Sequence, residues 1–141
     1  MSESDYPYQA VVGKCAYDST KAVGEITGSE YIEDGDENDL KEKVATLGVV
    51  TSCISASNIP FMSYTSGILD DDQCEINHPD HAVAVVGYGS ENGIDFWIVR
   101  NSWGISWGEE GYVRMSRNKG NQCGIASMAS VPTGILKECF F

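Results

Sequence analysis

The sequence predicts a β-rich α+β fold, with a half-open barrel as one candidate closure. Three observations predict it: short β-branched and aromatic runs recur through the second half, a single helical pattern lies near residue 40, and glycine-rich turn chemistry separates the runs. The 141 residues suffice for one ordinary domain and fall short of two full-sized ones. With 42% hydrophobic and 21% charged residues the composition is globular rather than disordered. The net charge of -12 argues against nucleic acid and anionic membrane as partners, because both require a basic footprint. No apolar run approaches the ~20 residues of a membrane span. The opening Met1-Ser2-Glu3-Ser4-Asp5 has neither the basic nor the apolar region of a signal peptide.

Tyr6-Pro7-Tyr8 is expected to be extended, since proline disfavours helix at the residue before it. Val23 to Ile32 mixes β-branched residues with glycine and reads as a weak strand. The acidic run Glu33 to Asp39 precedes Leu40, Val44 and Leu47, spaced i, i+4, i+7, with Gly48 as a stop. Acidic residues at that position favour the positive end of a helix dipole, so a helix cap is a sufficient reading of the run. Val49 to Ile54 reads as a buried strand and Ile59 to Leu69 as irregular structure with aromatic anchors. Asp70-Asp71-Asp72 lacks the spaced oxygen ligands of a calcium loop and reads as a hydrated loop. His81 to Gly87 and Phe96 to Arg100 form two apolar runs, joined through Gly89 to Gly93 as an antiparallel hairpin. Gly111 to Ser116 and Ala126 to Val131 complete the strands.

The chain has two histidines, His78 and His81. A lone histidine opening a buried strand is more often a satisfied core residue than a catalyst. His81 rises above that because Asn101 lies 20 residues on, an even separation that places the two on one face of a regular hairpin. In a symmetric register centred on Glu91 they would sit directly opposite each other, and one bulge would change that register. The asparagine oxygen could then fix the imidazole tautomer and leave the other ring nitrogen for proton transfer. Asn101 opens the stretch Asn101-Ser102-Trp103-Gly104-Ile105-Ser106-Trp107-Gly108-Glu109-Glu110-Gly111-Tyr112. Its glycines permit sharp turns, and Trp103 and Trp107 could cover the histidine–asparagine contact. The plainer reading is an aromatic turn packed on a core.

These motifs together resemble the papain-like cysteine peptidases, cathepsin L-type branch. The resemblance runs through Ser4 to Tyr8, Gly48 to Ser52, Asp80 to Val83, Val86-Gly87-Tyr88-Gly89, Asn101 to Tyr112 and Cys123-Gly124-Ile125-Ala126. It implies an endopeptidase in which His81 is the general acid/base, Asn101 orients it, and Trp103 and Trp107 surround the pair, Trp107 toward the primed side of the cleft. It implies no cofactor and no metal. It also implies residues 1–30 as a remnant of the left, helical domain, 31–132 as the right, antiparallel β-barrel-like domain, and 133–141 as a tail matching nothing in the family. The nucleophilic cysteine is expected to be missing. Its signature C-G-[SA]-C-[WY] lies ~130–150 residues before the histidine and asparagine in this family, and no such signature occurs in the 80 residues before His81. The chain alone is therefore expected to be inactive.

The five cysteines fit the same resemblance. Cys74 and Cys123 occupy the positions of a family disulfide, Cys15 that of a bridge to a cysteine nearer the N-terminus, and Cys139 lies in the unmatched tail, where a Cys15–Cys139 bridge has no support. Cys53 sits within an expected strand, away from any helix N-terminus that would activate it. The pocket that sets specificity in the family corresponds to Cys53, Pro79, Asp80, Ala82 and Met128, with the plain alternative that these are core residues. Without an acidic residue at Met128, aliphatic or aromatic groups should be preferred over arginine. The implied partners are peptide or protein substrates, the N-terminal half of the catalytic unit, and cystatin-like or propeptide inhibitors. The implied compartment is lysosomal or extracellular, which the cysteine usage also suits.

Two rivals stand beside this reading. One is a non-catalytic relative that acts as a binding or inhibitory module. The other is an unrelated zinc-binding domain using Cys74, His78 and His81, although no second ligand cluster at zinc-site spacing accompanies them and it would consume His81. A serine hydrolase lacks any G-x-S-x-G.

Overall fold

The computed structural model describes residues 1–134. The described chain divides into two compact units, Ser29–Val131 and a smaller one made of Met1–Gly28 with residues 132–134. In the smaller unit the regular structure is a 3-10 turn, Ser19–Lys21, capped by the Asp18 carboxylate, which accepts the Thr20 N–H. The Tyr6 hydroxyl accepts the Ala16 N–H at 3.2 Å. Cys15 is exposed and without a disulfide among the described residues; Cys139 lies outside them.

Seven strands make one sheet: β1 (Gly28–Tyr31), β2 (Val50–Ile54), β3 (Ile68–Leu69), β4 (His81–Glu91), β5 (Ile94–Arg100), β6 (Tyr112–Ser116) and β7 (Met128–Thr133), in the order β1-β7-β2-β4-β5-β6-β3. β2 is antiparallel to β4 and β7, and β5 to β4 and β6; the two residues of β3 run parallel to β6. The sheet stays open. Its two ends, β1 and β3, are not paired with each other, so the sheet is not closed into a barrel.

The expected helix is α1 (Glu37–Thr46). Asp36 caps it, its carboxylate accepting the N–H groups of Asn38 and Asp39 at 2.7 and 3.2 Å, and Glu37 and Asp39 place negative charge in the first turn. Leu40 and Val44 are buried in the core, but Leu47 is the C-cap and lies exposed. The chain turns away at Gly48, whose φ of 105° is a conformation glycine adopts without strain. A second helix, α2 (Ile59–Met62), occupies a stretch expected to be irregular. The Asn58 side chain caps it by accepting the Phe61 N–H at 2.8 Å, and Pro60 supplies a preset φ in its first turn. The rest of that stretch adds β3 to the sheet edge.

Glu37 ties α1 to the sheet. Its buried carboxylate accepts the indole N–H of Trp97 at 3.0 Å and the backbone N–H groups of Asn118 and Asn121 at 2.8 and 2.9 Å. Trp97, from β5, is completely buried. Asp70 also does more than sit hydrated. It accepts from Gln122 Nε2 at 2.9 Å and Ser116 Oγ at 3.2 Å, and pairs with Lys119 at 3.1 Å, which together hold its carboxyl below the usual range. Cys74 and Cys123 are joined in a disulfide with Cα atoms 4.9 Å apart. Cys123 stands at φ 58°, and the adjoining Gly124 has no room for a Cβ, which would lie 2.7 Å from the Ile76 carbonyl oxygen.

Glu37→Ala strands three donors, one of them on a fully buried indole, and should lower unfolding stability by about 2–4 kcal/mol. Glu37→Gln keeps the shape and should cost less; urea denaturation of both variants measures the difference.

Candidate active site

The turn between β4 and β5 is Asn92-Gly93, both at positive φ (52° and 80°), the two-residue hairpin turn whose twist matches the flanking strands. It pairs Glu91 with Ile94 and continues in register to Gly87 opposite Ile98. Carried on unbroken, that ladder would set Asn101 opposite Ala84, and His81, three residues from Ala84, on the other face of the sheet. The strand does not continue unbroken. Val86 is bulged, so Val85 pairs with Val99 and Ala84 with Arg100. The extra residue restores parity: Asn101, just beyond β5, falls at the position facing Val83, and His81 lies two residues along on the same face. The pair thus meets diagonally. This corrects the expected register centred on Glu91, in which the two were direct partners.

His81 Nε2 and Asn101 Oδ1 are 2.8 Å apart. The same Oδ1 accepts the Ser102 backbone N–H at 2.7 Å. A backbone N–H can only donate, so the amide oxygen must face it, and His81 Nε2 must carry a proton to bond that oxygen. His81 is therefore held with its proton on Nε2 and, when neutral, with Nδ1 bearing a free lone pair. Asn101 is buried, and its own N–H donates to the Gly111 carbonyl at 2.9 Å, which anchors the start of the tryptophan-bearing loop.

Trp103 lies against the imidazole, with ring centroids 4.9 Å apart and planes inclined by 37°. Trp107 crosses Trp103 edge-on at 5.3 Å and donates its indole N–H to the Met62 carbonyl at 3.2 Å. Beneath them Phe61 is completely buried, 5.5 Å from Trp103, 5.2 Å from Trp107 and 6.2 Å from His81. The loop returns through Gly108 (φ 58°), where a Cβ would lie 2.5 Å from the Tyr112 carbonyl oxygen. It is pinned by Glu109, which accepts from Arg114 Nε and Nη2 at 2.9 and 2.8 Å and from the Gly67 N–H at 2.9 Å. Arg114 holds the Glu109 carboxyl below its usual range.

Beside the imidazole is a cavity of about 250 Å³ lined by Ala56, Ser57, Met62, Asp80, His81 and Trp103. Asp80 is fixed there. Hydrogen bonds from Ser57 and from the Ala56 N–H hold its carboxyl below the usual range, so it stays ionised at neutral pH. Of the five expected pocket residues, three form one row across adjacent strands: Met128 of β7 pairs with Cys53 of β2, and Cys53 with Ala82 of β4. They are not core residues, for Ala82 and Met128 are exposed and Cys53 half-buried. Pro79 and Asp80 lie on the loop leading into β4, and Asp80 belongs to the histidine cavity instead. Cys53 cannot serve His81, because Ile54 is the cross-strand partner of His81 and successive residues point to opposite faces. Cys74 is spent in the disulfide and His78 faces Glu75 at 3.5 Å, so the three-ligand zinc set is not formed. Phe61, Met62, Ala56 and Ser57 were not singled out in the sequence; the signals for them were Asn58-Ile59-Pro60 as a helix start and the aromatic that follows.

The family model for papain family cysteine protease matches residues 1–133, and the chain belongs to that family. It is 50% identical over 134 residues to cathepsin S of Rattus norvegicus and 44% identical over 133 residues to cathepsin L of Sarcophaga peregrina. The matches cover 93% and 94% of this chain but 40% and 39% of those proteins, so the chain spans about two-fifths of their length. The solved structure of digestive procathepsin L 3 from Tenebrio molitor larval midgut superposes with a TM-score of 0.89 at 45% identity, over 94% of this chain and 43% of that one.

Deleting Val86 removes the bulge but leaves Val85 opposite Val99, so the ladder runs on regularly and His81 and Asn101 should stay on one face. In nuclear Overhauser spectra the His81–Asn101 contacts should persist together with those between Glu91 and Ile94; their loss in the deletion variant would contradict this register. Val86→Ala, which keeps the residue count, should retain both sets.

Proposed function

We infer that this chain supplies the acid/base half of a cysteine endopeptidase, with His81 as general acid/base, Asn101 as its orienter and the thiol nucleophile provided by polypeptide outside these 141 residues. The observation that supports it most strongly is the shared acceptor Asn101 Oδ1, which leaves His81 Nδ1 available. Nδ1 takes the proton of the incoming thiol, and the resulting imidazolium stabilises the thiolate. The thiolate attacks the substrate carbonyl carbon; as the C–N bond breaks, Nδ1–H gives its proton to the departing amine. Nδ1 then takes a proton from water, which adds to the thioester carbonyl and releases the acid and the thiol. Throughout, the proton on Nε2 stays in its bond to Asn101. Trp103 and Trp107 shield that bond from water, which strengthens it.

In that enzyme residues 1–30 belong to the left domain, 31–132 form the right domain, and 133–141 stand outside the family pattern. The row Cys53, Ala82 and Met128 is the part of the specificity pocket this chain contributes. Without an acidic side chain, it favours aliphatic or aromatic groups over arginine. Pro79, on the loop leading into β4, completes its rim. The partners are peptide or protein substrates, the N-terminal half, and inhibitors of the propeptide or cystatin-like kind; the similarity to a procathepsin supports the first of those inhibitors. A disulfide and relatives described as digestive support a lysosomal or extracellular setting.

The test is complementation on a Phe-Arg fluorogenic peptide. The purified chain should be silent alone, and should gain turnover that a thiol-alkylating reagent abolishes when mixed with a separately made N-terminal half. His81→Ala should lower the complemented rate by about 10²–10⁴-fold. Alkylation-sensitive turnover by the chain alone would place the nucleophile among its own cysteines and contradict the reading.

A further inference from the structure

The chain has four methionines, and their surroundings differ. Met115 is 1% exposed inside the core, and the Met1 sulfur accepts the Asp18 N–H at 3.2 Å. Met62 and Met128 are open to solvent, 56% and 59% exposed. Of the four, Met62 is the one that lines the cavity of about 250 Å³ beside His81. Its backbone is fixed there, because Asn58 caps α2 and the Met62 carbonyl accepts the Trp107 indole N–H at 3.2 Å. Met62, Ala56 and Trp103 form the apolar part of the cavity wall, and Ser57, Asp80 and the imidazole form the rest. A flexible thioether is therefore both reachable from water and set in the wall next to the acid/base.

We propose that Met62 is an oxidation site, and that a peroxide acting there weakens the hold of the His81 cavity on apolar side chains. The inference rests on the endopeptidase reading. In it Nδ1–H protonates the departing amine, so the residue bearing that amine lies against the imidazole and its side chain seats beside Met62. The thioether sulfur attacks one oxygen of hydrogen peroxide, the O–O bond breaks and water leaves. The sulfur gives two electrons to the peroxide and becomes a sulfoxide, which replaces an apolar wall by a polar one. Two donors beside it are already used: Ser57 donates to Asp80, and the Trp107 N–H to the Met62 carbonyl. The sulfoxide oxygen is thus left to water, which an apolar side chain must strip away to enter. Hydrogen peroxide is neutral, so neither the ionised Asp80 nor the net charge of -12 repels it. Burial protects Met115, so the core survives the same treatment.

Because that reading puts the nucleophile on other polypeptide, the whole chain can be oxidised with hydrogen peroxide, freed of it, and then mixed with an untreated N-terminal half. Peptide mapping should find Met62 and Met128 as sulfoxides and Met115 intact. Two internally quenched peptides, differing only in leucine or glycine after the scissile bond, then report on the cavity. Oxidation should lower kcat/KM for the leucine peptide about fivefold and that for the glycine peptide less than about twofold. Methionine sulfoxide reductases should restore the leucine rate, and their thiol reductant alone should not. Oxidised Met62→Leu should keep its leucine-to-glycine ratio although Met128 is still converted. A ratio that falls equally in oxidised Met62→Leu assigns the effect to another residue and overturns the proposal. Equal losses for both peptides, an unchanged ratio with Met62 fully converted, or a Met62 that stays intact overturn it too, and leave the endopeptidase standing. Absence of turnover before any oxidation removes the endopeptidase reading itself, and the proposal with it.

Discussion

The site depends on one oxygen atom. Asn101 Oδ1 accepts the Ser102 N–H and the His81 Nε2–H together, and because the first donor cannot reverse its role, the second cannot either. That converts a flexible, two-tautomer ring into one with a defined basic nitrogen. An aspartate at the same place would accept equally well but would add a charge beneath two indoles that His81 balances only while its ring is protonated. The neutral amide fixes the tautomer without that cost.

The rest of the larger unit keeps that oxygen in place. Asn101 lies just past the end of β5, so its position follows from the β4–β5 ladder, and the ladder's parity follows from the Val86 bulge. β5 is held from behind by the Trp97–Glu37 bond, which links it to α1 and to the turn carrying Asn118 and Asn121. β4 is held at its histidine end by β2, with Ile54 opposite His81. On the solvent side, the Glu109–Arg114 pair and the close approach at Gly108 hold the loop that brings Trp103 over the ring. A displacement in any of these would act on the proton through geometry alone.

Much of this was legible in the residues. The spacing of Leu40 and Val44 behind an acidic run marked α1, and alternating β-branched runs marked β2, β4, β5 and β6. His81 and Asn101 could be paired by their even separation, and the motifs around them carried the family. Three things were hidden for physical reasons. The bulge was invisible because Val86 is as good a strand residue as its neighbours, so the expected pairing reached the right residues through the wrong register. The burial of Phe61 under the indoles depends on a four-residue helix too short to show periodicity. Asp70 looked like a solvated loop because its partners, Ser116, Lys119 and Gln122, lie more than 45 residues on in sequence and meet it only in the fold.

The most direct measurement is the tautomer of His81, read from nitrogen-15 shifts of its imidazole in the labelled chain at a pH where the ring is neutral. A protonated Nε2 with a bare, pyridine-type Nδ1, converting to a tautomeric average in Asn101→Ala, is the result the geometry requires. A proton resting on Nδ1 in the native chain would mean that the asparagine does not set the base, and the assignment of His81 as acid/base through Nδ1 would fall.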